Sequence, residues 1–278
     1  MSNRLIDMHT HIIPFAEASS YRKSITPAEL VAQMDEWGVG QAVVLPLESP
    51  ESDSEYAPSA QVFELCARFP DRLIPFVGVD PRTQKALAKI EHYHQRGARG
   101  FGEHKCGLAM DDPLSMKVYA LCGELSLPVL FHMDPTLNWD EAGLPRLERA
   151  LRACPTTIFI GHGPNWWSAI SADDTRDGGY PEGPVKPGGA LDRLLAEFPN
   201  LYAEISAGSG HNALTRAPAF TEGFLEQHWR KLLFGTDFFN VGQQVPQVEW
   251  LRGYAMPEEW KAAIGWGNAE RLLSPQRR

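Results

Sequence analysis

Two histidines one residue apart, His9 and His11, close the segment Leu5-Ile-Asp-Met-His-Thr-His11. If that segment is a strand, side chains at i and i+2 point to the same face, so both imidazoles reach one place. Paired imidazole nitrogens suit a divalent transition metal, and an open coordination position lets such an ion act on water. The chain carries its own control in His92-Tyr-His94, which has the same spacing inside a helix-like stretch. At 3.6 residues per turn, those two rings diverge by about 200° and read as a solvated helix face. Three further residues close apolar runs: His132 after Pro128-Val-Leu-Phe131, His162 after Thr157-Ile-Phe-Ile-Gly161, and Asp237 after Leu232-Leu-Phe-Gly-Thr236. A lone histidine at a strand end is more often a hydrogen-bonded core residue. Four strands ending in metal-capable groups, with a His-x-His among them, point to a metal site.

The elements that must position these groups alternate along the chain. Runs rich in Val, Ile, Leu and Phe occupy 4–11, 41–47, 73–79, 98–103, 127–132, 156–162, 201–206 and 231–237. Helical periodicity fills 27–37, 59–69, 83–96, 113–125, 144–153, 189–198 and 218–229, with two shorter helical pieces within 257–273. The first helix carries a start signal in Thr26-Pro27-Ala-Glu29, with proline at the first helical position. Strand-then-helix alternation predicts a parallel sheet buried on both faces. Eight such units in 278 residues predict an α/β fold, a (β/α)8 TIM barrel, as a single domain over 1–278. A doubly wound sheet is the rival, but no Gly-x-Gly-x-x-Gly turn follows the first strand. In a barrel all strand C-termini gather on one rim, where active sites lie. The non-periodic stretch 163–188, rich in Gly and Pro and holding Trp166-Trp167, is expected to fold over that rim after the sixth strand. The alternative is an exposed insertion.

Composition narrows the class. The chain is 43% hydrophobic and 22% charged, as ordinary globular proteins are. A core this large needs no metal staple, so a bound metal would do chemistry. The net charge of -9 argues against a nucleic-acid partner held by its phosphates. No apolar run approaches the roughly 20 residues needed to span a bilayer, so no membrane partner is expected. The first residues lack an apolar leader. Cys66, Cys106, Cys122 and Cys154 are scattered and read as buried thiols of a reducing compartment. Together these features lead to the expectation of a cytoplasmic protein.

Asp7-x-His-x-His11, Gly161-His-Gly163, Gly235-Thr-Asp237 and the closing Gly267-Asn-Ala-Glu-Arg271-Leu-Leu together resemble the amidohydrolase superfamily. The branch is that of amidohydrolase-2 type hydrolases and aminocarboxymuconate-semialdehyde decarboxylase-like enzymes. The likeness spans nearly the whole chain and says little about substrate. It implies that His9, His11, His132 and Asp237 hold a divalent catalytic metal, with zinc the expectation, and that His162 is a nearby ligand or acid–base group. In relatives with two metals, a fourth-strand Glu or carboxylated Lys bridges the pair. That position falls to Glu103 in Gly100-Phe-Gly-Glu103-His-Lys105, with Lys105 the lesser candidate. One ion per chain is expected, and two if Glu103 bridges. If extended geometry persists, Phe101, Glu103 and Lys105 share the inward face and His104 the other. The alternatives are a Glu103–Lys105 ion pair at the rim and a substrate-binding Glu103 beside a single metal.

The chemistry also follows without the resemblance. A metal lowers the pKa of bound water to about 7, producing a nucleophile at neutral pH. Asp237 can bind the ion, collect that proton and pass it to the leaving group, while His162 polarises the substrate carbonyl. The first expectation is therefore a hydrolase in which metal-bound hydroxide attacks an ester, lactone or amide of a small organic substrate. Non-oxidative decarboxylation on the same ligands is the alternative, and a barrel that binds without turnover is a third. Glu103-His-Lys105 tilts the reading towards hydrolysis. For substrate contacts, Lys105 sits near the rim and Arg22 lies in the loop after the first strand, where it can take a carboxylate. Trp166 and Trp167, with Trp139, Phe238 and Phe239, either wall an organic pocket or pack loops together. Glu204 and Ser206 reach the rim from the seventh strand; barrels of this kind often form homodimers, but no interface stripe in the sequence marks one.

Overall fold

Residues 4–13 and 25–274 are described by the computed structural model. Its eight strands are β1 (Leu5–Thr10), β2 (Val39–Val44), β3 (Leu73–Pro75), β4 (Phe101–His104), β5 (Val129–His132), β6 (Phe159–His162), β7 (Leu201–Glu204) and β8 (Leu232–Leu233). All pairings are parallel, in one sheet ordered β1-β2-β3 and another running β4 to β8. Backbone hydrogen bonds join the two sheets at both seams. Between β3 and β4, Val77 N donates to Gly100 O and Gly102 N to Val77 O, each at 2.9 Å. Between β8 and β1, Met8 N donates to Phe234 O at 2.9 Å, Asp237 N to His9 O at 2.8 Å and His11 N to Phe238 O at 2.9 Å. The strands thus follow chain order around a (β/α)8 barrel. The last apolar run continues to Asp237 as expected, but beyond Leu233 its backbone turns from β7 to pair with β1.

The predicted helices form, from Pro27–Trp37 to Pro218–His228, and Pro164–Ser168, Ala207–Thr215 and Pro246–Gly253 are helices that the periodicity did not mark. The first opens with a capping box: Thr26 accepts from Glu29 N, and the Glu29 carboxylate accepts from Thr26 N, with Pro27 at the first position. Strands and helices share an outer apolar layer, in which Val44, Phe131 and Phe159 meet Leu147 and Leu194. A second layer fills the barrel with Met8, Val43, Leu45, Phe76, Leu130, Ile160 and Leu233. All four cysteines are buried free thiols. Among the described residues no helix is long and apolar enough to cross a membrane.

Two strands depart from simple alternation, and both carry candidate ligands. On β1, Asp7 is level with Ala42 and Thr10 with Val44, so three steps face two. The extra residue is a bulge; Met8 belongs to the inner layer, and His9 next to it also faces inward. On β4, Phe101 is level with Val129 and His104 with Phe131, again three steps to two. Phe101 and His104 both pack outward, their rings 5.4 Å apart and His104 5.5 Å from Tyr119. The expected inward set of Phe101 with Glu103 is thereby corrected: the bulge at Gly102 lets Glu103 alone turn in.

Gly161 on β6 is packed against the Trp166 indole, which would lie 2.3 Å from an added Cβ. Gly161→Ala forces that buried ring aside and is expected to cost about 1–3 kcal/mol. A urea midpoint unchanged from wild type would contradict this close approach.

Candidate metal centre

The two β1 imidazoles converge, with their Nε2 atoms 3.0 Å apart. Their other nitrogens are committed to donation. His11 Nδ1 donates to Leu45 O at 2.9 Å, and His9 Nδ1 donates to Glu204 Oε1 at 3.1 Å. Each Nε2 therefore presents a lone pair to the same point. Two lone pairs this close repel unless a cation lies before them.

His132 makes the same case from the other side. Its Nε2 faces Asp134 Oδ2 at 3.1 Å; in the neutral ring that donates there, Nδ1 carries the lone pair. That atom is buried with no hydrogen-bond partner, yet it stands 3.0 Å from Glu103 Oε1. An unprotonated nitrogen facing a carboxylate oxygen is an arrangement that a metal ion would satisfy. Asp237 Oδ1 lies 3.4 Å from His9 Nε2 and 3.6 Å from His11 Nε2. Donor atoms fall within 4.8 Å of one another in three sets: His9, His11 and Glu103; His9, His162 and Asp237; and Glu103, His132 and His162. Imidazole nitrogen with carboxylate oxygen fits a borderline divalent ion such as zinc or manganese.

Glu204 underlies the cluster, fully buried. Its Oε1 meets Nδ1 of both His9 and His162 and accepts from Ser206 Oγ at 2.9 Å, while Oε2 accepts from Ser206 N at 2.7 Å. Burial raises the Glu204 carboxyl, but the His162 charge and the two imidazole hydrogen bonds hold it below the usual carboxylate range. Burial pulls His162 down, and the facing Glu204 carboxylate lifts it to about 9. His9 is lowered by burial and by the His162 charge. Against its own burial, Glu103 is held well below the carboxylate range by the Lys105 charge. Asp7 links the strand seam: it accepts from His9 N, Thr236 N and Thr236 Oγ1. Burial nevertheless pushes its carboxyl up to about 7.

The structure thus brings His9, His11, Glu103, His132, His162 and Asp237 together from four strands, β1, β4, β5 and β6, and the end of the β8 run. Sequence reasoning gave Glu204 only a place on the rim and gave Asp134 none. The available signals were an acid ending the apolar run at 201–204 and an Asp two residues after His132. A cavity of about 50 Å³ opens onto the cluster, bordered also by Ile13, Glu55, Lys105 and Phe239. Lys105 lies there as expected, but its carboxylate partner is Glu55 at 3.5 Å, while Glu103 turns to the histidines. The expected substrate contacts of Trp166 and Trp167 are corrected. Both are buried and neither borders the cavity; Trp166 packs on Gly161 and Phe131, and Trp167 Nε1 donates to Glu204 O at 3.2 Å. The stretch 163–188 opens as a short helix, Pro164–Ser168, and contributes no residue to the cavity border. It surrounds a separate cavity of about 240 Å³ shared with Arg216, and its Tyr180 lies near enough to Asp237 for that carboxylate, after burial, to raise the Tyr180 hydroxyl. Arg22 lies outside the described residues.

Residues 6–274 match the family model described as Amidohydrolase. The chain belongs to the amidohydrolase family. No curated protein matches it. Among solved structures, this amidohydrolase resembles an uncharacterised TIM-barrel protein from Bordetella bronchiseptica, at TM-score 0.70 and 18% identity, over 97% of this chain and 98% of that one. It also resembles a provisionally assigned 2-pyrone-4,6-dicarboxylic acid hydrolase from Pseudomonas putida, at TM-score 0.66 and 17% identity over 98% of each chain. A third is a dihydroxybenzoic acid decarboxylase from Polaromonas with bound manganese and 2-nitroresorcinol, at TM-score 0.63 and 16% identity, over 100% of this chain and 98% of that one.

Because Glu204 holds two imidazoles, Glu204→Gln removes the charge behind both while keeping the shape. Zinc affinity, read by calorimetric titration, is expected to fall about 10–100-fold. Full retention of affinity would show that the carboxylate does not orient the ligands.

Proposed function

We propose that this amidohydrolase is a metal-dependent hydrolase acting on an ester, lactone or amide of a small organic substrate, with a centre for two divalent ions, zinc foremost. The observation that carries this reading is the posture of Glu103. Its Oε2 lies 3.8 Å from His9 Nε2 and 3.5 Å from His11 Nε2, while Oε1 lies 3.0 Å from His132 Nδ1 and 3.8 Å from His162 Nε2. One half of the centre is then His9, His11, Asp237 and Glu103, and the other is His132, His162 and Glu103. When bound, such ions supply Lewis-acid polarisation of a carbonyl and a lowered pKa for water.

The chain's own groups do the rest. The Asp237 side chain is 21% exposed, against 3% for Glu103 and 0% for Glu204. Asp237 is thus the acid of the cluster best able to exchange a proton with a bound substrate, and it serves as base and then as acid to the leaving group. Lys105 supplies a positive charge at the cavity border for an anionic substituent. Ile13 and Phe239 offer apolar contact, and the small cavity limits the water that accompanies the substrate.

Decarboxylation remains the second reading, favoured by the likeness to the manganese-bound dihydroxybenzoic acid decarboxylase. In that case one ion, held by the same residues, would suffice; Lys105 would face the substrate carboxylate, and Asp237 would take a proton from water and pass it to the ring carbon as carbon dioxide leaves.

Plasma mass spectrometry is expected to find two ions per chain, and fewer in Glu103→Ala. On a lactone and ester panel, Asp237→Asn is expected to lower kcat about 10²–10⁴-fold with KM little changed. Carbon dioxide release from hydroxybenzoates, with no hydrolysis on the panel, would overturn the hydrolase reading.

A further inference from the structure

The β4–β5 ladder lapses where the chemistry is placed. The register shift between Phe101 and His104 takes the regular pairing away from Glu103, although Glu103 and His132 must be held within a few ångströms of each other. Another group spans that gap. Asn138, in the loop after β5, is fully buried and adopts a left-handed backbone conformation, φ 43°. Its Nδ2 donates to His132 O at 2.9 Å and, more closely still, to His104 O. These carbonyls belong to the ligand His132 itself and to the residue after Glu103. Two further polar groups of Asn138 are spent on this junction. Its backbone N donates to Cys106 O at 2.9 Å, and its Oδ1 accepts from Cys106 Sγ at 3.3 Å. Trp139 N then donates to Leu108 O at 3.2 Å, and Met110 N to Trp139 O at 3.1 Å, so the loops after β4 and β5 are laced together beyond the strand ends.

We infer that Asn138 is the positioning residue of the half-centre formed by Glu103, His132 and His162. Its amide replaces the missing ladder bonds and sets the Glu103–His132 separation. This inference rests on the two-ion reading above. Both Nδ2 hydrogens are used, and an amide is the side chain that can donate twice while accepting from Cys106. The opposite half, His9 and His11, is held instead by Leu45 O and Glu204, with no bond to Asn138. The two halves share Glu103, so loss of the amide should weaken the His132 half most and the His9–His11 half less, an asymmetry that general destabilisation would not produce.

Two substitutions separate the amide from the backbone. Asn138→Gly keeps the left-handed conformation at little steric cost and removes the amide. Asn138→Asp keeps shape and acceptor but loses both donors. Titration of metal-free protein with zinc alone, followed by calorimetry, is expected to find two sites in the wild type. In both variants the site holding His132 and His162 is expected to weaken about 10–100-fold and the site holding His9 and His11 to weaken less, with the thermal midpoint of the metal-free proteins monitored alongside. Two undiminished sites in both variants, or equal weakening of both sites, would overturn the role of Asn138 while leaving the two-ion reading intact. A single site in the wild type would overturn that reading and this inference together.

Discussion

One buried carboxylate oxygen sets the terms for the rest of the site. Glu204 Oε1 faces Nδ1 of His9 on β1 and of His162 on β6, two strands that do not pair with each other. A buried anion is tolerable only when it is paired and fully hydrogen-bonded, and Glu204 meets that condition with two imidazoles and with both polar groups of Ser206. The same bonds fix ring orientation, so that each Nε2 faces the centre. The ligand geometry and the solvation of Glu204 are therefore one requirement. The barrel must bring β1, β6 and β7 to a common level for either to be met.

That level depends on how the barrel closes. Asp7 ties the start of the His-x-His segment to Thr236 through two hydrogen bonds, while backbone bonds link His9 and His11 to residues 237 and 238. These contacts put Asp237 beside the β1 imidazoles. Beneath the polar rim, Met8, Leu45, Phe76, Leu130 and Ile160 fill the barrel, giving the donors a close-packed floor. Above it, tryptophans that look suited to gripping a substrate instead brace the wall: Trp166 against Gly161, and Trp167 on the Glu204 carbonyl.

The two bulges show where local pattern and final geometry part. Alternation in β1 puts Ile6 and Met8 inward, yet His9 and His11 face inward too. In β4 the inward residue is Glu103, with Phe101 and His104 turned towards the helix Pro113–Glu124. An extra residue in a strand changes which face a side chain takes, and the shift is defined only against the neighbouring strand.

Much of this protein is therefore legible from residue order alone. The eight apolar runs, the helices between them, the capping box at Thr26 and the polar residues closing the strands are local patterns, set by periodicity and by chain stereochemistry. Since parallel strands align their C-terminal ends, those patterns suffice to place His9, His11, His132, His162 and Asp237 on one rim. Tertiary structure decided what depends on partners distant in sequence. It set Glu204 between His9 and His162, across intervals of 195 and 42 residues. It gave Lys105 to Glu55 rather than to Glu103 and buried Trp166 and Trp167. Each of these outcomes is a choice among partners competing for the same buried charge or volume, and that competition exists only once the barrel has closed.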